Sequence, residues 1–169
     1  MAAQSKDAIS LLKEDHREVK KLFKAFESAK GDGRKEKLAH EICLELSVHA
    51  EIEETIFYPA CENSVDEDKL KEGYVEHDAA KLLIAEIVAN EGGDDEFFDT
   101  KVKVLQEEIE HHIEEEEGPG GIFAQARKGK LDMVSIGKQL AERKKELTER
   151  YKADGLPNPK LRTMDEVTA

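Results

Sequence analysis

Residues 42–56, ICLELSVHAEIEETI, decide the fold of this chain. Residues three or four apart share one face of a helix, and an amphipathic helix normally buries apolar side chains on that face. Here the face consists of Ile42, Leu46, His49, Glu53 and Ile56. The stretch therefore predicts a helix that carries one histidine and one glutamate toward the core.

Three further segments repeat this pattern of one histidine in an apolar row. Their rows are Ile9, Leu12, His16, Val19, Phe23 and Phe26; Leu70, Gly73, His77, Ala80, Ile84 and Ile87; and Val102, Leu105, Ile109, His112 and Glu116. With the first segment they predict four helices. Three of these cover residues 6–29, 35–58 and 96–117, and the remaining one, third in the chain, begins at a capping box of Ser64 and Glu67 and ends at residue 90. We expect Pro59 to end the second helix. A charged fifth helix is predicted over residues 132–152.

The histidines form an internal repeat. His16 followed by the pair His49 and Glu53 is matched by His77 followed by the pair His112 and Glu116. Two helical hairpins of one design indicate an all-α fold, an up-down antiparallel four-helix bundle with an additional C-terminal helix. We assign residues 1–130 to the bundle, 131–153 to the extra helix and 154–169 to a flexible tail.

Such a bundle would bring four histidines and two glutamates together at one depth. Buried carboxylates and imidazoles need partners, and metal ions satisfy both. A single core histidine is more often a hydrogen-bonded core residue, but six such residues in repeat register favour a dinuclear metal site. Nitrogen and oxygen ligands without thiolate favour iron or manganese over structural zinc. The candidate ligands are His16, His49, Glu53, His77, His112 and Glu116.

Other polar residues near these rows are interpreted differently. His40 and His111 lie off the rows, so we expect both to face solvent, although His111 and Glu115 repeat the spacing of the chosen pair. Glu54 and Glu117 directly follow the two site glutamates, and exposed carboxylates are expected there. Tyr74 is expected to pack at the bundle edge, and Cys43 to be a small buried residue rather than a ligand.

Composition narrows the classes of partner. The 169 residues carry a formal net charge of −13, which argues against nucleic acid and against an anionic membrane surface. We expect neither a transmembrane helix nor a signal peptide, because the apolar runs are too short. Two cysteines, Cys43 and Cys61, without such a signal indicate reduced thiols and a cytoplasmic protein.

The same residues resemble the hemerythrin-like, or HHE cation-binding, family. The resemblance rests on DHREVKKLF around His16, HAEIEETIFYPA from His49, VEHDAAKLL around His77 and HHIEEEEGPGGIF around His112, and it covers about residues 6–128. It implies a non-haem di-iron site with an oxo or hydroxo bridge. His16 and His49 would bind one iron, His77 and His112 the other, and Glu53 and Glu116 would bridge them.

The sequence departs from the oxygen-carrying hemerythrins in two places. Those proteins have a second histidine on the third helix, where this chain has Gly73 and Lys81 one turn either side of His77. They also use aspartate as the fourth-helix bridge, where this chain has Glu116. The missing imidazole argues against reversible oxygen carriage and implies a more open, water-accessible iron.

Three functions fit these observations. The first is a di-iron protein that binds or senses dioxygen, nitric oxide or iron. The second is a di-iron enzyme with oxidase, peroxide-decomposing or ferroxidase activity. The third is a metal-free helical interaction module, in which the fifth helix docks a partner and leucines could replace the core histidines. The sequence leaves the oligomeric state open.

Overall fold

The computed structural model describes residues 6–91 and 94–165, and its described elements are helices. Four long helices form the antiparallel bundle, and a fifth packs along the first two. The predicted fold class is thereby confirmed. The elements are α1 (Ala8–Ser28), α2 (Asp32–Ile52), a π-helical turn (Glu53–Phe57), α3 (Tyr58–Cys61), α4 (Glu67–Ala89), α5 (Phe98–Glu117), α6 (Ile122–Lys128) and α7 (Met133–Asp154).

The second bundle helix does not end at Pro59, so that prediction was wrong. A π-helical turn follows α2 directly, and the backbone N–H of Tyr58 donates to the carbonyl of Glu53, five residues earlier. Proline clashes with the carbonyl four residues before it in a regular α-helix. The wider turn leaves Pro59 in the first turn of α3, where a missing N–H costs nothing. The helical path therefore continues to Cys61.

Two helix starts follow from local capping. Asp7 accepts a hydrogen bond from the backbone N–H of Ser10 and begins α1. Asp66 does the same for α4 by accepting from the N–H of Asp68, at 2.9 Å. The predicted capping box of Ser64 and Glu67 is therefore wrong, because the nearer Asp66 takes the capping position and Glu67 becomes the first helical residue.

The core consists of two apolar clusters with a polar layer between them. One cluster includes Leu12, Ile52, Phe57 and Phe123, and the other includes Phe23, Ile42, Ile84 and Leu105. Along α1, α2 and α4, the site residues lie between the parts that belong to the two clusters, whereas α5 contributes only to the second cluster and the following α6 contributes to the first. The polar layer consists of Asp15, His16, His49, Glu53, Glu54, His77, Asp78, His112 and Glu116. The layer therefore crosses all four bundle helices at one level.

The segment after α7 lies against the bundle, whereas the sequence predicted a flexible tail from residue 154. Backbone N–H groups of Arg162 and Thr163 donate to the carboxylate of Asp78 on α4. Residues 166–169 of the predicted tail lie outside the described residues. The described part, residues 155–165, thus forms a strap along α4.

None of the helices in the described ranges is both long enough and apolar enough to span a membrane.

Candidate metal centre

The structure brings all six predicted site residues together in the polar layer. Ligand atoms of Glu53, His77, His112 and Glu116 all lie within 4.8 Å of one another, and so do those of His16, His49 and Glu116. Glu116 belongs to both groups. The arrangement is therefore two adjacent candidate cation positions that share a carboxylate.

Every member of the centre is buried. The side chains of Glu53 and Glu116 have no exposed surface, and none of the four histidines exceeds 7% relative exposure. Nε2 of His77 lies 3.1 Å from Nε2 of His112, and Nε2 of His49 lies 2.9 Å from a carboxylate oxygen of Glu53. The Nε2 atoms of the histidines therefore point to the centre of the bundle.

The other ring nitrogen of each histidine is held by a carboxylate. Nδ1 of His16 pairs with Glu117 at 2.8 Å and that of His49 with Asp15 at 3.0 Å. In the other half, Nδ1 of His77 pairs with Glu54 at 3.2 Å and that of His112 with Glu76 at 2.9 Å. A ring that donates from Nδ1 to a carboxylate keeps its Nε2 lone pair for a metal, and its orientation is fixed.

These four supporting carboxylates follow the internal repeat. Asp15 and Glu76 each precede one site histidine in sequence but support the histidine of the next helix. Glu54 and Glu117 each follow a site glutamate and support a histidine of the other hairpin. The expectation that Glu54 is exposed was wrong, because it is 3% exposed, whereas Glu117 is exposed as expected. Acidic residues at matched places in both copies were the signal that could have identified them.

Within the described residues, five buried atoms of the centre make no hydrogen bond of good geometry, although Nε2 of His49 lies in ion-pair contact with Oε1 of Glu53 at 2.9 Å. They are Nε2 of His16 and His49, both carboxylate oxygens of Glu53, and Oε2 of Glu116. Leaving a buried polar atom unsatisfied costs about 1–3 kcal/mol, and more when the group is charged. Cations bound in the two positions would satisfy these atoms. The residues present therefore fit a metal centre, on the geometry and chemistry of their own donor atoms.

Charge coupling inside the centre is strong. Burial alone would lower the pKa of His49, but the neighbouring carboxylates of Glu53 and Asp15 raise it well above the usual range. Burial likewise opposes ionisation of Glu53, yet His49, His112 and His77 hold its pKa well below the usual range. Without a metal, the centre therefore favours a protonated His49 beside an ionised Glu53. A cation would replace that proton.

Tyr58 is a site residue that the sequence did not reveal. Its hydroxyl donates to Oε1 of Glu116 at 3.2 Å, and its ring stacks on His77 at 5.5 Å between centroids. A Cβ at position 73 would lie only 2.9 Å from this hydroxyl, so Gly73 provides the space for the ring. The space beside His77 that was expected to be open is thus filled by a phenol. The π-helical turn displaces Tyr58 from α-helical register, which hid it from the row analysis.

The other residues outside the rows lie where the sequence placed them, and Glu54 is the exception. His111 is exposed, and Nε2 lies 3.5 Å from Glu76. The side chain of His40 is 45% exposed and pairs with Glu91. Tyr74 is partly buried and packs edge-on against Tyr58. Cys43 is buried and unpaired, outside both ligand groups.

A small cavity opens beside the centre. Its volume is about 30 Å³, and it is bordered by all four site histidines. The rest of its wall is mainly apolar, with side chains such as Val19, Leu46, Ala80, Ile84, Ile109 and Ile113. One water needs about 10–15 Å³ on the same measure, so there is room for a molecule of a few atoms.

Comparisons with known proteins give one family and one solved structure. Residues 7–119 match the profile of the family described as Hemerythrin HHE cation binding domain. The structure is similar to that of a hemerythrin HHE cation-binding domain-containing protein from Mycobacterium kansasii, with a TM-score of 0.72 and 19% identity. The similarity covers 89% of this chain and 95% of the other, and at this identity it supports the fold alone. Among curated proteins, none matches this sequence.

Proposed function

This chain belongs to the hemerythrin HHE cation-binding domain family, and from that premise we propose that its centre holds two irons and binds or senses a small molecule. His16 and His49 would bind one iron, and His77 and His112 the other. Glu53 and Glu116 would be shared between them. When bound, the irons supply a redox-active pair able to take a small ligand.

The proposal rests mainly on imidazole nitrogens and carboxylate oxygens that are buried at the centre of the bundle and make no hydrogen bond of good geometry. Four imidazoles are oriented by carboxylates, and five buried atoms belong to this set. A metal-free interaction module has no use for such a set, because apolar side chains would fill the same space at lower cost. The imidazole and carboxylate donors, without thiolate, favour iron or manganese, and the family resemblance favours iron.

The cavity limits what could bind. A volume of about 30 Å³ accommodates dioxygen, nitric oxide or peroxide and excludes an organic substrate of ordinary size. Its apolar wall suits molecules of low polarity. We therefore infer a ligand of two to four atoms, with cellular iron itself as the other species that the centre could sense. The unpaired buried cysteines suit a reducing compartment such as the cytoplasm.

Enzymatic activity is the second candidate, and Tyr58 is the observation that favours it. Its buried hydroxyl lies 3.4 Å from Nε2 of His112. Burial, together with the charges of Glu116 and Glu53, raises the pKa of this phenol well above its usual range, so it keeps its proton. A positioned hydrogen-bond donor that stays neutral can stabilise negative charge on a bound ligand in oxidase, peroxide-decomposing or ferroxidase chemistry.

Iron content with a visible spectrum tests the proposal. We expect two irons per chain after iron-replete expression and a charge-transfer spectrum in air. His49→Ala should lose iron, whereas His111→Ala, an exposed histidine one residue from a proposed ligand, should keep it. A wild-type protein without iron, or an equal loss in both variants, contradicts the proposal.

Adding peroxide or nitric oxide separates the two candidate functions. A reversible spectral change without consumption of the ligand indicates a binding or sensing protein. Sustained consumption of peroxide that stops in His49→Ala indicates an enzyme.

A further inference from the structure

Two cations reach the metal centre from beyond the region that matches the family, residues 7–119. Nε of Arg162, in the strap, lies 2.6 Å from Oε1 of Glu54. Nζ of Lys144, on α7, pairs with Oδ1 of Asp15. Glu54 supports His77, and Asp15 supports His49. Two of the four carboxylates that support a site histidine therefore also pair with a cation of the C-terminal segment.

The other two supporting carboxylates lack this continuation. Within the described ranges, the ion pairs of Glu117 and Glu76 are with histidines. The repeat is therefore symmetric in its ligands and supporting carboxylates but asymmetric in the direct ion pairs behind them, since, after His16, Lys13 and Lys20 also lower the pKa of Glu117 but without pairing with it. In each proposed metal position, one histidine is linked through its supporting carboxylate to the C-terminal segment. This histidine is His49 in the first position and His77 in the second, whereas His16 and His112 have no such link among the described residues.

The strap is held by contacts that fix Arg162 in place. The buried carboxylate of Asp78 accepts from the N–H of Arg162 at 3.0 Å and from the N–H and hydroxyl of Thr163, both at 2.7 Å. Lys81 donates to the carbonyl of Lys160 at 2.8 Å and also contacts Glu54 at 2.8 Å. A buried carboxylate with three donors from one segment makes a specific anchor.

We propose that Arg162 and Lys144 are positioning residues of the metal centre, acting through Glu54 on His77 and through Asp15 on His49. The inference rests on the proposed metal function. A cation beside each carboxylate weakens the pull of that carboxylate on the histidine N–H, and so weakens the imidazole as a donor. Positive charge near a redox metal also disfavours its oxidised state. Both effects raise the midpoint potential of the centre.

The test compares charge variants on the full chain. Arg162→Gln should keep two irons and lower the midpoint potential, and Arg162→Lys should restore part of the shift. The control is Arg150→Gln, which removes an arginine that pairs with the exposed Glu146 on α7. An Arg162→Gln potential equal to that of Arg150→Gln overturns the proposal.

A second pair examines Lys144. Lys144→Gln should lower the potential, whereas Lys145→Gln, its exposed neighbour, should leave it unchanged. Equal potentials in the two variants would remove Lys144 from the proposal.

Release of the strap gives an independent variant. Thr163→Val loosens the anchor by removing the hydroxyl that donates to Asp78, without changing any charge, and it should raise amide hydrogen exchange in residues 155–165 and lower the potential. If exchange rises while the potential stays at the wild-type value, the strap does not act on the centre.

The NMR shifts of the histidine ring nitrogens in the metal-free protein test this inference without bound iron. They therefore distinguish a failure of this inference from a failure of the proposed metal function. Arg162→Gln should move the shifts of His77 and leave those of His16, and Lys144→Gln should move those of His49. If wild-type protein binds no iron, the proposed function fails while this measurement still reports whether the cations act on the histidines. Unmoved shifts overturn the inference even if iron binds.

Discussion

Asp15 accepts a hydrogen bond from Nδ1 of His49 at 3.0 Å, although it precedes a different site histidine, His16, in sequence. The carboxylate is 6% exposed, and His49 and Lys144 hold its pKa below the usual range against the opposing effect of burial. It therefore stays ionised next to the ring. An ionised partner on Nδ1 orients the imidazole and strengthens Nε2 as a metal donor.

Asp15→Asn should weaken metal affinity by about 10–100-fold. The amide oxygen can still accept from Nδ1, so the ring keeps its direction but loses the negative charge behind it. Competition with a calibrated chelator measures the change. Glu14→Gln is the matched control, because Glu14 is the exposed neighbour that pairs with Lys6. Wild-type affinity in Asp15→Asn would show that the carboxylate does not support a ligand.

Tyr58→Phe should destabilise the metal-free protein by about 1 kcal/mol, because a buried hydroxyl loses its bond to Glu116. Urea unfolding of chelator-treated protein gives the free energy. Tyr74→Phe is the control, since its hydroxyl reaches a backbone carbonyl at 3.5 Å from a partly exposed position. The cost there should be smaller, and equal costs in the two variants would contradict a specific role for the Tyr58 hydroxyl.

The positions of the candidate ligands could be predicted from the sequence because helical spacing puts each of them in an apolar row. His16, His49, His77 and His112 each interrupt such a row, and the repeat shows that they belong together. Helical spacing does not mark residues whose role depends on contacts between helices. Glu54 lies off its row and looked exposed, yet it pairs with His77 on α4 and with Arg162 of the strap. The seating of that strap depends on Asp78, a single buried carboxylate that no periodic pattern marks.

Gly73→Ala should destabilise the protein by about 1–3 kcal/mol, since the new methyl group would lie 2.9 Å from the Tyr58 hydroxyl and 3.2 Å from its ring. Tyr58 is fully buried and has little room to withdraw. Gly33→Ala is the control, because its Cβ would meet nothing within 4 Å. Stability there should be unchanged or slightly higher, as alanine favours helix. Thermal unfolding compares the two, and a neutral Gly73→Ala would mean that the ring moves freely.

Cys43 and Cys61 should resist thiol reagents in the native protein. Both are buried and unpaired, and burial raises the pKa of each thiol to about 12. The reactive thiolate is therefore scarce at pH 8. We expect no reaction with a disulfide reagent under native conditions and two thiols titrated in concentrated guanidinium. Rapid labelling of the native protein, or fewer than two thiols after unfolding, would contradict the buried, reduced state.

Stability of the metal-free protein should be greatest between about pH 4.5 and 6.5. Carboxylates outweigh burial to raise the pKa of His49 and His112 above the ordinary value of 6.5, so their stabilisation is complete below that pH and is lost as pH rises through the raised values. Histidines outweigh burial to lower the pKa of Glu53 from 4.5, so its contribution is present above pH 4.5 and is lost as pH falls further.

Metal binding reverses the alkaline part of this profile, because the ligating imidazoles must lose their protons. Between pH 6.5 and 8.5 the unfolding temperature of the metal-free protein should fall, and the difference between metal-loaded and metal-free protein should widen. Thermal unfolding of both forms across this range measures the difference. His49→Gln should flatten the metal-free profile, whereas the exposed His111→Gln should leave it unchanged. A metal-free protein that becomes more stable from pH 6.5 to 8.5 would contradict the charge pairing inferred for the centre.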